Sequence, residues 1–220
     1  MPMLYDYFRS SASFRVRIAL ELKGVAYDRA PVHLVRDGGE QHAPAFRALN
    51  PAGLVPVWSD ADGAISQSLA IVEYLEETYP EPALLPRATH DRAWVRSLAL
   101  RVACDIHPLN NLRVLKYLET ELSAPESVRA AWYAHWVEEG LASVEAELSR
   151  ATRSSAFAFG DAPGLADVCI VPQVANALRF ACKLSHVPRV TTLYEHCMTL
   201  AAFQRAAPAA VEPSGSTRTA

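Results

Sequence analysis

A strand–helix–strand unit at the start of the chain places the strongest limit on its fold. Residues 4–7 are strand-like, and residues 11–23 have the apolar spacing of a helix. Gly24 follows in the position where glycine commonly ends a helix, and residues 26–33 are strand-like again. Two strands joined in this way pair in parallel through a right-handed crossover. The sequence therefore predicts an α/β domain at the N-terminus.

The pattern continues through one more short helix and a hairpin. A turn at residues 37–39 precedes a short helical segment at residues 41–49. Residues 54–59 and 64–66 are predicted strands around a turn rich in aspartate and glycine, and residues 68–79 are a predicted helix. This order of elements is that of a small domain of thioredoxin type.

Three prolines, Pro80, Pro82 and Pro86, mark a linker after which the pattern is helical throughout. The predicted helices are residues 89–121 (bent near Pro108), 125–151, 165–183 and 188–200, with a short turn at 203–206. The predicted core positions of the second and third of these helices are Trp132, Trp136, Leu141, Val144 and Leu148, and Val168, Ile170, Val171, Val174 and Leu178.

The predicted fold class is therefore α/β plus all-α. The expected divisions are a thioredoxin-like domain over residues 1–80, a linker over 81–87, an all-helical domain over 88–208 and a flexible tail over 209–220.

Composition excludes several classes of function. The 220 residues are 50% hydrophobic and 20% charged, which is typical of a soluble globular protein. The net charge of −3, with no basic block, argues against a general nucleic-acid partner. No apolar run is long enough to span a bilayer and no secretory signal is visible, so we expect no membrane partner and a location in the cytoplasm or an organelle lumen.

Neither the cysteines nor the histidines indicate a metal site. Cys104, Cys169, Cys182 and Cys197 form no CxxC pair, and the histidines lack metal-ligand spacing. Cys169 and Cys182 lie in apolar helical stretches, so we expect them to be small buried side chains.

The residues that lead from the first strand into the first helix favour an anion. Several serines, Ser10 among them, precede the apolar residues Phe14, Ile18 and Leu22. Serine is a preferred N-cap, and the first turn of a helix carries a partial positive charge. On spacing alone, the segment is either an ordinary capped helix or a site for a phosphate, a carboxylate or a thiolate.

The dipeptide Val55-Pro56 is open to two interpretations. It is either a proline in an edge strand or a cis bond in a tight turn. If the bond is cis, the backbone N–H and C=O of Val55 would point outward, where they could pair with an extended peptide.

Motifs distributed from Met3 to Pro208 resemble the zeta class of glutathione transferases, the maleylacetoacetate isomerases. The matching stretches are Ser10-Ser11-Ala12-Ser13-Phe14-Arg15-Val16-Arg17-Ile18-Ala19-Leu20, Leu22-Lys23-Gly24, Asp37-Gly38-Gly39, Ala48-Leu49-Asn50-Pro51, Val55-Pro56, Gln67-Ser68-Leu69-Ala70-Ile71, Tyr74-Leu75-Glu76-Glu77, Leu84-Leu85-Pro86, Asp105-Ile106-His107-Pro108-Leu109-Asn110-Asn111, Leu165-Ala166-Asp167 and Val171-Pro172-Gln173-Val174.

The resemblance implies a glutathione cofactor. Ser10 would hydrogen-bond the glutathione sulfur and hold it as a thiolate, with Ser11 as a second donor. A hydroxyl at a helix N-terminus suits this role, because both features lower a thiol pKa. The other implied glutathione contacts are Gln67 and Ser68 for the γ-glutamyl carboxylate, Val55 for the cysteinyl backbone, Gln41 for the glycyl end, and His107 and Asn111 in the second domain of the other subunit of a homodimer.

The resemblance also implies three arginines for the carboxylates of the substrate. These are Arg9, beside the thiolate serine, Arg113, and Arg179, which lies in an apolar helical stretch where an unpaired charge would be costly. Structural salt bridges are the alternative for each. Arg15 and Arg17 are expected to be structural or domain-interface residues.

Two positions depart from the family pattern. Ala12 stands where the family often has cysteine, so that thiol cannot be needed for the basic chemistry. Gly164 stands where Ser or Thr usually forms a capping box with Asp167, so we expect a modest cost in stability and no change of fold.

The implied activity is the glutathione-dependent isomerisation of maleylacetoacetate to fumarylacetoacetate, in the breakdown of aromatic amino acids. The same chemistry on maleylpyruvate, a general glutathione transferase or dehalogenase, and a non-catalytic glutathione-binding module are the alternatives. The last would be favoured only by loss of Ser10 or of the Gln67-Ser68 pair, and both are present.

Overall fold

Four strands form one mixed sheet within the described part of the chain. The computed structural model describes residues 1–151 and 155–213. The strands are β1 (Met3–Asp6), β2 (Asp28–Pro31), β3 (Val57–Asp60) and β4 (Gly63–Ser66), in the spatial order β2-β1-β3-β4. β1 is parallel to β2 and antiparallel to β3, and β3 pairs with β4 as a hairpin. The predicted parallel pair and the predicted hairpin are both confirmed.

Strand β3 starts three residues later than predicted. Residues 54–56 lie outside it, and Pro56 has no backbone N–H to give to a sheet. The Val55–Pro56 bond is cis, as is Glu81–Pro82.

Three helices accompany the sheet in the N-terminal part of the chain: α1 (Ser11–Lys23), α2 (Pro44–Leu49) and α3 (Ser68–Thr78). α1 has its predicted bounds and ends at Gly24, whose φ of 64° is readily adopted by glycine. The helical segment predicted at residues 41–49 is divided into a 3₁₀ turn, Glu40–His42, and α2. Pro44 explains the division, because proline is favoured at the first position of a new helix.

Helix α1 is buried on nearly every side. Its side chains from Ser11 to Leu20 are all buried, and Arg15 and Arg17 are among them. The spacing of Phe14, Ile18 and Leu22 had predicted only one buried face, and Leu22 is in fact half-buried. The difference arises because α1 packs against α3 and also against α9 (Ala201–Ala206), which is remote in sequence.

By its internal contacts, the chain divides into two units. One contains residues 1–83 together with the described residues from 199 to 213, and the other contains residues 84–198. The predicted boundaries at residues 80, 87 and 208 stay predictions. Within the predicted tail, Pro208–Val211 forms the short helix α10, and residues 214–220 lie outside the described part.

The second unit is helical. Its helices are α4 (Thr89–Leu100), α5 (Leu112–Thr120), α6 (Glu126–Arg150), α7 (Leu165–Arg179) and α8 (Pro188–Cys197). The helix predicted over residues 89–121 with a bend near Pro108 is interrupted at that place: α4 continues into a π-helical turn, Arg101–Ile106, and a turn around Pro108 then separates it from α5. Asn111 then starts α5 as its N-cap, accepting a hydrogen bond from the backbone N of Arg113 at 3.1 Å.

The predicted core face of α6 is displaced by one residue near its start. Tyr133 and Val137 are buried, whereas Trp132 and Trp136 are half-buried. Trp132 donates its indole N–H to the carbonyl of Leu109 at 2.7 Å, so its polar edge is used at the boundary of the core. Leu141, Val144 and Leu148 are buried as predicted, and so are Val168, Ile170, Val171 and Val174 of α7. Leu178 is exposed, because it lies at the end of α7.

Gly164 is explained by a close backbone contact. The N–H of Leu165 donates to the carbonyl of Leu84 at 2.8 Å, and an ideal Cβ on Gly164 would lie 2.8 Å from that oxygen. Asp167, which is buried, accepts from the N–H of Gly164 and from that of Ala158, both at 2.8 Å. Asp167 therefore makes its hydrogen bond of the capping box, although Gly164 has no hydroxyl to make the other one. Burial nevertheless raises the pKa of Asp167 to about 6.

All four cysteines are free thiols. Cys169, Cys182 and Cys197 are buried, as expected for the first two, and Cys104 is exposed. The described residues contain no group of three or more potential metal ligands. None of the helices in that part of the chain is long and apolar enough to cross a membrane.

Candidate active site

Ser10 caps the helix that follows the first strand. Its Oγ accepts a hydrogen bond from the backbone N of Ser13 at 3.2 Å, and its own N–H donates to the carbonyl of Tyr7 at 2.9 Å. A serine hydroxyl that accepts such a bond still has one O–H to donate. Ser10 is half-buried, so this donor is placed at the N-terminus of α1 and within reach of a ligand.

The N-terminus of α1 is electrostatically suited to an anion. The first turn of the helix contains no acidic residue that would neutralise the positive end of its dipole. Ser11 and Ala12 occupy this turn, and both are buried. Of the two serines predicted to act on a thiolate, Ser10 is therefore the more accessible.

Gln67 and Ser68 form a second helix start in the same unit. Gln67 has φ 75°, a left-handed conformation that side chains other than glycine seldom adopt. Ser68, which begins α3, is buried, and its Oγ accepts from Nη1 of Arg15 at 3.2 Å. This bond ties α3 to α1. Strained residues of this kind are concentrated at ligand sites, and α3 also has no acidic residue in its first turn.

Gln41 presents a buried acceptor that other described residues do not use. Its Nε2 lies 3.4 Å from the carbonyl of Leu34 and 3.1 Å from Nε2 of His42. Its Oε1 is buried and has no hydrogen-bond partner within the described residues. A buried polar atom without a partner is costly, so a ligand N–H at this position would be favourable. Val55, the other predicted contact in this unit, is half-buried beside Phe46 and Val57.

Arg9 lies in the turn that follows β1 and directly precedes Ser10. Its guanidinium lies over the Phe8 ring at 5.0 Å from the ring centroid. Its Nη2 atom lies 3.9 Å from Oε1 of Glu212, and both side chains are partly exposed. Arg9 therefore has an acidic neighbour that the sequence did not indicate.

His107 and Asn111 lie together in the second unit. The Nδ2 of Asn111 is 3.4 Å from Nε2 of His107. Arg113, two residues further on, is exposed.

Arg179 is placed differently from the expectation. It is the last residue of α7, it is exposed, and its guanidinium lies 4.6 Å from the centroid of the Phe180 ring. Arg179 is therefore not a buried charge within an apolar helix, contrary to the prediction, because the helix ends there. Its role toward a substrate stays a prediction on the grounds of the resemblance alone.

Arg15 has the structural role that was expected of it. It is 1% exposed and donates to Ser68 at the start of α3, and this partner is what the sequence did not indicate. The available signal was an arginine in the middle of a helix that is otherwise largely apolar. Such a charge needs a buried acceptor, although sequence alone does not identify it.

Comparisons with known proteins agree with this geometry. Residues 9–78 match the family model for the N-terminal domain of glutathione S-transferases. The maleylacetoacetate isomerase of Pseudomonas aeruginosa is 48% identical over 207 residues, covering 94% of this chain and 95% of that protein.

Two solved structures are also similar over nearly the whole chain. One is a holo structure of maleylpyruvate isomerase, described as a bacterial glutathione S-transferase of the zeta class, with a TM-score of 0.93, 45% identity, and coverage of 96% of this chain and 99% of that one. The other is a maleylacetoacetate isomerase from Methylobacterium extorquens AM1 with bound malonate and glutathione, with a TM-score of 0.90, 40% identity, and coverage of 94% and 97%.

A thioredoxin-like sheet with a serine-capped α1, joined in one chain to a set of helices, defines the glutathione transferase class of fold. Within that class, this chain belongs to the zeta-class family of maleylacetoacetate and maleylpyruvate isomerases.

Proposed function

We propose that this protein is a glutathione-dependent cis–trans isomerase that converts maleylacetoacetate to fumarylacetoacetate. The observation that carries the proposal is Ser10, a half-buried hydroxyl at the N-terminus of α1 with an O–H left to donate. The identity of 48% to a maleylacetoacetate isomerase supports the choice of reaction.

The N-terminal unit fits glutathione on structural grounds. Ser10 would hold the sulfur, and Gln67 and Ser68 would hold the γ-glutamyl carboxylate at the uncompensated start of α3. Val55 would pair with the cysteinyl backbone. The buried Oε1 of Gln41 would accept from the glycyl end. The proposed contacts of His107 and Asn111 rest on the family resemblance.

When bound, glutathione supplies a thiolate that adds reversibly to the cis double bond and leaves after the resulting single bond has rotated. Ser10 contributes by donating to the sulfur, which favours the thiolate over the thiol. Both the hydroxyl and the positive end of α1 lower the thiol pKa. Ser11 contributes as a second donor from the first turn.

Arginines are proposed to hold the carboxylates of the substrate. Arg9 is adjacent to Ser10, and its fork of donors suits a carboxylate. Arg113 and Arg179 are proposed for the same chemistry, and both are exposed. A guanidinium close to the substrate ketone would also stabilise the negative charge that develops on its oxygen when the double bond is attacked.

Maleylpyruvate is the second candidate substrate, and a specific observation favours it. The structure with a TM-score of 0.93 to this chain is that of a maleylpyruvate isomerase. The two substrates share the conjugated cis double bond and differ beyond the ketone, so the same Ser10 chemistry serves both.

A direct assay tests the proposal. The purified protein is supplied with glutathione and each cis substrate in turn, and the absorbance of the conjugated enol is followed. We expect glutathione-dependent turnover, with the higher kcat/KM on maleylacetoacetate. The opposite preference would establish the second candidate. No turnover of either substrate, with conjugation of chlorodinitrobenzene intact, would contradict the isomerase proposal and leave a general transferase.

We also propose a cytoplasmic homodimer that acts in the breakdown of aromatic amino acids. The family relationship supports this assignment. Sedimentation equilibrium at micromolar concentration would check the dimeric state, and a mass close to one chain of 24.1 kDa would contradict it.

A further inference from the structure

A buried carboxylate fixes the last described residues of the chain beside the exit of the first strand. Asp6 is fully buried, and its Oδ2 lies 2.6 Å from Nη1 of Arg17. Nη2 of Arg29 donates to both oxygens of the same carboxylate, at 2.9 and 3.1 Å. One acid therefore holds two guanidinium groups in fixed positions.

The two guanidinium groups in turn bind three backbone carbonyls. Arg17 donates to the carbonyl of Phe8 at 3.0 Å and to that of Ala206 at 2.8 Å. Arg29 donates to the carbonyl of Val211 at 3.1 Å. Phe8 directly precedes Arg9, and Val211 directly precedes Glu212. The same cluster therefore fixes the backbone next to both residues.

The result is a contact between Arg9 and the carboxylate of Glu212. The closest charged atoms are 3.9 Å apart, and the two side chains are 27% and 34% exposed. An ion pair of this length and exposure is weak, because water screens it. It can therefore be displaced by a ligand carboxylate that meets the guanidinium with two hydrogen bonds.

We propose that Glu212 is an internal competitor for Arg9, and that it sets the affinity of the enzyme for carboxylate substrates. This inference rests on the proposed function, since it takes Arg9 to be a group that binds a substrate carboxylate. A carboxylate substrate must displace Glu212 from Arg9. An electrophile without a carboxylate gains nothing from Arg9, so Glu212 does not affect its binding.

The test compares two variants that remove the same charge, Glu212→Gln and Glu77→Gln. Glu77 is exposed on α3 of the same unit, so it is the matched control. We expect Glu212→Gln to lower the KM for the cis substrate about two- to fivefold, the range that a weak surface ion pair supports. The inhibition constant of malonate, a carboxylate that does not react, should fall by the same factor.

Three quantities should stay at the wild-type value in both variants: kcat, the KM for glutathione, and the rate of chlorodinitrobenzene conjugation. Urea unfolding of each variant verifies that the fold is intact. The inference is overturned if Glu212→Gln leaves the substrate KM and the malonate constant unchanged. It is also overturned if Glu77→Gln lowers them equally, because the effect would then be one of net charge.

Malonate binding separates this inference from the proposed function. If the wild-type protein turned over neither cis substrate, the proposed function would fail. Calorimetric binding of malonate in the presence of glutathione would still be tighter in Glu212→Gln if the competition exists. If malonate bound to neither protein, Arg9 would not be a carboxylate site and the competition would be refuted.

Discussion

The N-terminal unit and the helical unit use arginine in opposite ways. Arg15 and Arg17 lie in the interior of the first unit, where Arg15 donates to Ser68 and Arg17 pairs with Asp6. Arg113 and Arg179 lie exposed on the second unit, and Arg179 rests on an aromatic ring. Burial lowers the pKa of Arg17, and the Asp6 carboxylate opposes that effect. An arginine of the first kind organises the scaffold, whereas one of the second kind can meet a ligand at little cost in desolvation.

The two units should also differ in how they respond to the substitution of these arginines. In the N-terminal unit, the two helix starts proposed to bind glutathione are joined by Arg15, so their positions depend on the interior. In the helical unit, the arginines proposed for substrate binding are exposed, so their replacement disturbs less of the interior. Substitutions of the buried arginines of the first unit should therefore affect folding, and those of the exposed arginines of the second unit should affect substrate affinity.

Arg17→Met should give the largest effect, a loss of about 3–5 kcal/mol in the free energy of unfolding. Among the described residues, the substitution leaves the fully buried Asp6 with Arg29 as its one remaining cation, and it removes the donors to Phe8 and Ala206. Urea unfolding measures the loss. Arg87→Met, at an exposed arginine, is the control and should stay within about 0.5 kcal/mol of wild type. A loss as small as that of the control would show that the buried arginines are not structural.

Asp167 should make stability depend on pH, since it is an ionisable side chain in the interior of the helical unit. Its pKa in the folded protein is about 6, above the ordinary value near 4, so folding favours the protonated acid. This contribution is fully present below about pH 4 and is lost as the pH rises through about 6, by up to about 3 kcal/mol.

Urea unfolding at a series of pH values tests this sign against Asp167→Asn, which removes the titration. The wild-type curve should fall relative to that of the variant between about pH 4 and pH 6. A flat relative curve over that interval, with a rise below about pH 4, would mean that the two backbone donors, Gly164 and Ala158, stabilise the carboxylate more than burial penalises it.

Ser10→Ala should lower kcat by about 100-fold, the scale of losing one hydrogen-bond donor to a reacting anion. Ser11→Ala should cost much less, because Ser11 is buried whereas Ser10 is half-buried. The ultraviolet absorbance of the bound thiolate, titrated with pH, should show a higher glutathione pKa in Ser10→Ala alone. Ser10→Thr retains the hydroxyl and the cap, and controls for the loss of helix stability. Equal losses in the two alanine variants would show that Ser10 was wrongly chosen as the hydroxyl that acts on the sulfur.

Features that depend on nearby residues could be predicted from the sequence. The bounds of α1 follow from serine at its start and Gly24 at its end, and both caps are present. The parallel pairing of β1 with β2 follows from the short crossover between them. A serine cap at the start of α1 was predictable because it depends only on the strand before it and the helix after it, whereas the choice of Ser10 came from the family resemblance.

Features that depend on distant packing could not be predicted. The burial of α1 on several sides arises from α9, about 180 residues later in the chain. The contact between Arg9 and Glu212 likewise joins residues that are far apart in the sequence. Arg179 was misjudged because its exposure depends on where α7 ends, and a run of apolar residues does not mark that end.

Arg179→Leu tests the exposed arginines of the helical unit and should give the smallest effect. If the exposed arginines of the helical unit bind substrate, the KM for the cis substrate should rise about tenfold, the loss of one charge-assisted hydrogen bond. The KM for glutathione should not change. The free energy of unfolding should fall by no more than about 1 kcal/mol, from the lost contact with the Phe180 ring. Arg87→Leu controls for the loss of a positive charge. An unchanged KM for the cis substrate would show that Arg179 does not bind the substrate. A large loss in the free energy of unfolding would show that this exposed arginine is structural, as the buried arginines of the N-terminal unit are.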